Sequence, residues 1–379
     1  MGITTKHIKA IDNHWHVFDH EHERPSFEQH FTLSTLPVSR EDVRNTLFYR
    51  MVYKELKRYF NMPNATMDEI AAERQKRYAE DPMYVDKLFQ DANISAVLCD
   101  IGFPNPEFSG YSVDYDERAS KIPNTEIRKM VRIEPLIYTL LNDGTAREYP
   151  EYREAFKAFL KENVEKEKAV AVKTVIAYRT GLNIHKESDE VIAEAYKKYS
   201  ADIKDQASNK IFRDDMVYAA MEVCEELDLP MQIHTGTGDY PALDLRKANP
   251  LDLHELIKVF PEVKLIIVHC GYPYIAETGT MINQFPNVFV DLSEMVPYAG
   301  IGADRALMTI LEMGPVNKIM FGSDSNFVPE VGWFAAIYFR KCLEKVLDKL
   351  VNDNVIDEDY AMEMAEMILY KNAERIYKL

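Results

Sequence analysis

The sequence predicts a (β/α)8 barrel with a helical insertion after its first strand. Three observations carry that prediction. Eight short apolar runs recur along 379 residues, and near-continuous Val/Ile/Leu runs suit parallel strands buried on both faces. Helical segments lie between them, the alternation of an α/β fold. Candidate ligands or acids stand near the C-terminal ends of six of the runs, the end at which a barrel carries its active site. No internal repeat, low-complexity tract or Gly/Ser linker divides the chain, so residues 1–379 are read as one domain.

Strand one is "IKAIDNHWH" (8–16), where Ile8, Ala10 and Ile11 lead into Asp12, His14 and His16. The interval 20–92 that follows is too long for one βα unit. Within it, "SREDVRNTLFYRMVYKELKRYF" carries Val43, Leu47, Met51 and Leu56 at helical spacing, and "TMDEIAAERQKRY" opens with a capping box of Thr66 and Glu69. The natural use of such an insertion at the active end is a lid or a dimer arm. Strands two and three are "ISAVLCDIGF" (94–103) and "KMVRIEPLI" (129–137). In "PEYREAFKAFLKENVEK" the set Tyr152, Phe156, Phe159, Leu160 and Val164 forms one helical face.

Strand four is "AVAVKTVIAY" (169–178), followed by a second inserted stretch, 183–210. The helix in "DDMVYAAMEVCEELDLP" repeats the one-face pattern with Val217, Met221, Cys224 and Leu227, and Pro230 stops it. Strand five is "PMQIHTG" (230–236). "NPLDLHELIKVFP" offers Asn249 as N-cap and Pro250 at the first helical position. "KLIIVHCG" (264–271), "VFVDLSEM" (288–295) and "KIMFGSDSN" (318–326) complete the eight strands.

A formal net charge of −17 argues against nucleic acid or an anionic membrane as partner. The N-terminus lacks an apolar signal core, and no apolar run approaches the ~18 residues of a membrane span. Cys99, Cys224, Cys270 and Cys342 form no CxxC and are expected as buried reduced thiols, which fits the cytoplasm.

His14 and His16 are two apart on one strand, so they project to one face with Asp12. His234 ends strand five, His269 strand six and Asp324 strand eight; Lys173 lies on strand four and Asp291 on strand seven. One such histidine alone reads best as a packed core residue. Agreement among four strands is another matter, because ring closure brings their ends together. Clustered imidazoles are costly to desolvate without a partner, and a divalent metal accepts imidazole nitrogen and carboxylate oxygen.

These residues, His14-Trp15-His16, His234 in "QIHTG", His269 in "IVHCG" and Asp324 in "FGSDS", resemble the metal-dependent amidohydrolase superfamily. The resemblance is strongest to its amidohydrolase 2 branch of aminocarboxymuconate-semialdehyde-decarboxylase-like proteins, and the ending "YKNAERIYKL" matches that group's last helix. "AVKTVIAYRTGL" with the long insertion is similar to amidohydrolase-like proteins related to a domain fused to glutamine synthetase. The resemblance implies His14, His16, His234 and Asp324 as metal ligands, Asp324 also as base, and His269 as a catalytic imidazole. It implies one ion, zinc before manganese or iron, since such sites accept several metals. In two-metal members the strand-six histidine binds a second ion bridged by a carboxylated lysine. Lys173 is therefore a bridge, an ion-paired structural lysine or a substrate-binding cation.

The implied activity is hydrolysis of an amide or related bond in a small carboxylate-bearing substrate by a metal-activated water, with non-oxidative decarboxylation as the alternative. A metal-binding barrel without catalysis is the third reading, and Asp324, an acid/base that a non-enzyme need not keep, argues against it. Arg179, just past strand four, is the candidate for gripping a substrate carboxylate. Tyr178 beside it and His30 in the insertion are further candidates for substrate contact. His20 and His22 read as a solvated loop, and His185 and His254 as surface. Asp291 or Glu294 is expected to orient a ligand histidine, and Glu134 to pair with Lys173 or Arg132. "HTGTGD" is no dinucleotide fingerprint; Gly236 and Gly238 are expected to let the loop approach the metal closely. A homo-oligomer fits the exposed arm.

Overall fold

Apolar runs that bury both faces have formed one parallel sheet, ordered so that neighbours in sequence pair. The computed structural model describes residues 2–19, 24, 26–105, 109–202 and 204–379; His20 and His22 lie outside them. The strands are β1 (Ala10–Phe18), β2 (Ile94–Asp100), β3 (Glu126–Arg132), β4 (Ala171–Thr174), β5 (Met231–His234), β6 (Leu265–Val268) and β7 (Val288–Asp291). The eighth is broken in two: β8 (Ile319–Met320) pairs with β7, and β9 (Ser325–Phe327) pairs with β1. The four residues between them carry Asp324. Their backbone still binds β1, through Asn13 N–H to Phe321 O at 3.0 Å and Asp324 N–H to His14 O at 2.8 Å. The sheet therefore closes on itself as a (β/α)8 barrel.

Strands two, six and seven end earlier than the sequence reading, at Asp100, Val268 and Asp291, and two further boundaries differ in kind. The expected third strand reached 137, but Ile133–Leu141 is a helix, so Glu134 sits in its first turn. Glu134 Oε1 accepts hydrogen bonds from Thr174 Oγ1 at 2.6 Å and Val175 N–H at 2.8 Å rather than pairing with Lys173 or Arg132. The expected fourth strand reached 178, but β4 ends at Thr174 and Ile176–Tyr178 is a single 3-10 turn.

At the bottom of the barrel, strand residues Ile11, Leu98, Met130 and Ile266 pack with Ile376 and Tyr377 of the last helix. Tyr377 Oη accepts from Gln232 Nε2 at 2.7 Å, so the plug reaches the strand interior. Cys99, Cys224, Cys270 and Cys342 are all buried and free. No helix of the described residues is long and apolar enough to cross a membrane.

Between β1 and β2 stand a 3-10 turn (Phe27–Phe31) and helices α1 (Arg40–Arg44), α2 (Leu47–Tyr59), α3 (Met67–Glu80) and α4 (Tyr84–Asp91). Thr66 and Glu69 close the capping box at the start of α3. Arg74 of α3 makes a buried ion pair with Glu330, Nε to Oε1 2.7 Å, and Tyr84 Oη donates to the same oxygen at 2.9 Å. Glu330 begins the long helix Glu330–Asn352, so charge complementarity ties the insertion to the barrel's outer layer. Its first segment takes another course. Leu33 to Thr35 bind Tyr240 in the loop after β5, with Tyr240 N–H to Leu33 O and Thr35 N–H to Tyr240 O both at 2.9 Å.

Candidate metal centre

Strand ends deliver the candidate ligands. His14 and His16 each place Nε2 3.3 Å from Asp324 Oδ1. His234 Nδ1 lies 2.9 Å from His269 Nε2. The donor atoms of His14, His269 and Asp324 lie within 4.8 Å of one another, and so do those of His14, His16 and Asp100. His234 belongs to neither triad and joins the cluster beside His269. Donors bound at 2.0–2.2 Å to one ion stand about 3.0–3.5 Å apart, so separations of 2.9 and 3.3 Å match the edges of a coordination shell.

Neighbouring hydrogen bonds assign the protons. His14 Nδ1 faces Gln232 Oε1 at 2.7 Å, while Gln232 Nε2 donates to Asn13 O and Tyr377 Oη. His14 therefore donates from Nδ1 and turns a lone pair on Nε2 toward Asp324. His234 Nε2 faces the carbonyl of Thr237 at 2.9 Å, so it carries the proton and Nδ1 does not. Ser293 Oγ donates to Asp291 Oδ1 at 2.6 Å and accepts from His269 Nδ1 at 2.9 Å, which leaves His269 Nε2 bare. Two lone pairs thus confront each other across 2.9 Å. Burial holds His14, His234 and His269 well below the usual imidazole range, helped by the charge of Lys173, so protonation does not relieve them. His16 Nδ1 is buried without a hydrogen-bond partner. A divalent cation fits this donor set, since neutral imidazole and carboxylate are its ligands and Gln232, Thr237 and Ser293 orient the rings.

The strict alternation expected along β1 is broken by register shifts between Ala10 and Ile11 and between Asp12 and Trp15. Asp12 accordingly turns to Ser323, accepting its N–H at 2.8 Å and its hydroxyl, and burial pushes its carboxyl up to about 7. Asn13, passed over in the sequence, donates to Asp291 Oδ2 at 2.7 Å and helps hold the acid that orients His269. Asp100, the last residue of β2, also reaches the cluster and has no role in the sequence reading. Its Oδ2 accepts from Arg132 Nε at 2.9 Å and Nη2 at 2.6 Å.

His269, Cys270, Glu294 and Asp324 all have positive φ, between 55° and 66°. Such backbone is strained for side chains with a Cβ, and it clusters here at the strand ends that converge. Gly238 has a plain reason: a Cβ there would stand 2.3 Å from Tyr178 Oη and 2.9 Å from His234 Nε2.

Above the donors lies a cavity of about 620 Å³. Among the described residues its charged lining is Arg24, Arg132, Lys173 and Arg179 against Asp239 and Asp324. Among those residues cations outnumber anions, although the chain's net charge is −17. Phe103, Tyr178 and Phe327 supply aromatic walls. Lys173 is fully buried with no hydrogen-bond partner at Nζ, and burial lowers its ammonium to about 8. Tyr178 Oη accepts Asp239 N–H at 2.9 Å, and its ring centroid is 4.6 Å from that of His234. His30 lies outside the lining; its Nε2 accepts the backbone N–H of Arg24 at 3.2 Å. His185 and His254 are at the surface.

A family model described as amidohydrolase matches residues 143–379. Protein fluG of Emericella nidulans is 25% identical over 97% of this chain, which spans 45% of that protein's length. Two solved structures share the fold. A protein of Lactobacillus casei ATCC 334, provisionally named a metal-dependent hydrolase, superposes with a TM-score of 0.84 at 22% identity, covering 98% of this chain and 96% of that one. The uronate isomerase of Thermotoga maritima superposes with a TM-score of 0.70 at 14% identity, covering 98% and 95%.

Proposed function

The chain belongs to the amidohydrolase family, and on that premise we propose that it hydrolyses an amide or related bond in a small carboxylate-bearing substrate, using one divalent ion. The observation that carries this reading is the convergence of imidazole lone pairs and Asp324 beneath a cavity whose described lining carries more cations than anions. His14, His16, His234 and Asp324 would hold the ion, with His269 at its edge. The two triads share His14, whose Nδ1 is taken by Gln232, and this shared donor supports one ion over two. Zinc suits the donors best, with manganese and iron as the other candidates. When bound, the ion lowers the pKa of a water toward neutrality and polarises a carbonyl.

The side chains then divide the work. Asp324 takes a proton from the attacking water and returns it to the leaving nitrogen. His269, held by Ser293 and Asp291 with its Nε2 lone pair facing the site, accepts a hydrogen bond from the attacking water and helps aim it. Arg179 and Lys173 favour an anionic substrate from the cavity wall. Thr35, in the segment of the insertion bonded to Tyr240, lines the cavity, which supports reading that segment as a lid. One water is consumed, and one carboxylate and one amine are formed.

The test is metal analysis with stoichiometry, followed by a panel of acylated amino acids, γ-glutamyl amides, lactones and aromatic acids. Amine or ammonia release that chelation abolishes and zinc restores supports the reading. Carbon dioxide release in its place would make the protein a non-oxidative decarboxylase. Full turnover after complete demetallation would overturn both.

A further inference from the structure

Arg24 reaches the cavity from the insertion, and Asp239 from the loop after β5. Arg24 is braced: Nη1 donates to the carbonyls of Gln29, Thr32 and Ser34 at 2.6, 3.1 and 3.1 Å, and its backbone N–H to His30. Asp239 is braced through its own N–H, bonded to Tyr178 Oη. The two side chains nevertheless stop short of each other, with Nη2 4.0 Å from Oδ1. That is beyond a hydrogen bond. Two unlike charges are thus held side by side, each with donors or lone pairs left over.

We propose that Arg24 and Asp239 bind the α-amino-acid end of the substrate, Arg24 taking its carboxylate and Asp239 its ammonium. A simple carboxylate on Arg24 would sit against Asp239 and be repelled, whereas a zwitterion presents opposite signs in the same order as the wall. Asp239 therefore rejects plain diacids as well as favouring amino acids. Tyr178 sets the spacing. Its hydroxyl meets Asp239 and its ring meets His234, so the zwitterionic end lies about one tyrosine side chain from the donor cluster. The cleaved bond is then an amide on the side chain of an α-amino acid, a few bonds from its headgroup. This rests on the donor cluster being the reaction centre proposed above.

The test is a binding measurement that needs no turnover. The zinc-loaded chain of residues 1–379 at pH 7.5 is titrated calorimetrically with L-aspartate, L-glutamate and L-2-aminoadipate. Each is compared with its plain diacid (succinate, glutarate, adipate) and with the amino acid lacking the α-carboxylate (β-alanine, 4-aminobutyrate, 5-aminopentanoate). Asp239 is ionised there, although burial raises its carboxyl to about 6. At one chain length the amino diacid binds about 10- to 100-fold tighter than both of its partners, the worth of a charge-assisted hydrogen bond. In Asp239→Asn the preference over the plain diacid falls to about 1. In Arg24→Gln the preference over the decarboxylated partner does the same. If Arg24→Gln loosens its loop, Asp239→Asn, which keeps the backbone bond to Tyr178, still decides. No preference at any length, or a preference untouched by Asp239→Asn, overturns the proposal. Preference without hydrolysis would leave this charge pair standing and strike the proposed reaction; hydrolysis without preference would do the reverse.

Discussion

His234 Nδ1 and His269 Nε2 stand 2.9 Å apart, and their other ring nitrogens are both spent, on the Thr237 carbonyl and on Ser293 Oγ. Such a pair is repulsive unless a cation shares it. Binding to the folded state alone then stabilises by about 2.7 kcal/mol at a free ion concentration 100 times Kd. Demetallated protein is expected to unfold at lower temperature and to recover on addition of zinc. Differential scanning fluorimetry across a zinc titration measures this, and a flat profile would count against the site.

Gln232 sets which nitrogen of His14 is bare. Gln232→Met keeps the volume and removes the acceptor. Metal affinity should fall about 10- to 100-fold. Competition with a coloured chelator reads the change, and unaltered affinity would show that the tautomer is set elsewhere.

Asp291 receives Asn13 Nδ2 on Oδ2 and, on Oδ1, the Ser293 hydroxyl that in turn accepts His269. Asp291→Asn breaks this chain without touching a proposed ligand. Metal content should stay near wild type while kcat/KM on the best panel substrate drops about 10- to 100-fold. Equal activity in the two proteins would remove His269 orientation from the mechanism.

Arg74 and Glu330 are both buried, and Tyr84 donates to the same carboxylate. Arg74→Met leaves that charge unpaired and should cost about 3–5 kcal/mol. Adding Glu330→Gln should return much of it. Urea unfolding of the two single variants and the double variant gives the coupling, and simple additivity would contradict the pairing.

Glu28 lies on the 3-10 turn of the insertion, with Arg44 Nε at 2.7 Å and Arg40 Nη2 at 2.9 Å. Burial alone would raise its carboxyl, but the hydrogen bonds from Arg40 and Arg44 prevail and hold it below the usual range. A depressed carboxyl stabilises above its unfolded pKa, about 4.3, and loses that contribution as pH falls through the lower folded value. Wild type should therefore exceed Glu28→Gln in thermal stability at pH 7, and the gap should narrow progressively as pH falls below about 4.3. A gap that stays constant as the pH is lowered through the acid range would point to packing instead of charge.

The alternation of apolar runs and helical faces was enough to specify a closed ring of parallel strands. Two residues of spacing in His14-Trp15-His16, and one histidine or acid at the end of three other strands, were enough to mark which side chains converge. These features are local, and ring closure turns them into proximity without further information. The break in the eighth strand, the irregular β1 that sends Asp12 to Ser323 and Asn13 to Asp291, and the pairing of Asp100 with Arg132 depend on partners far along the chain. Arg24 and Asp239 depend on them too, since each is placed by loop carbonyls or a tyrosine hydroxyl that no periodicity encodes. Periodic patterns report which face of an element is buried. Which proton a buried imidazole carries, and which charge lines a cavity wall, is settled only when distant backbones pack together and competing hydrogen bonds are satisfied.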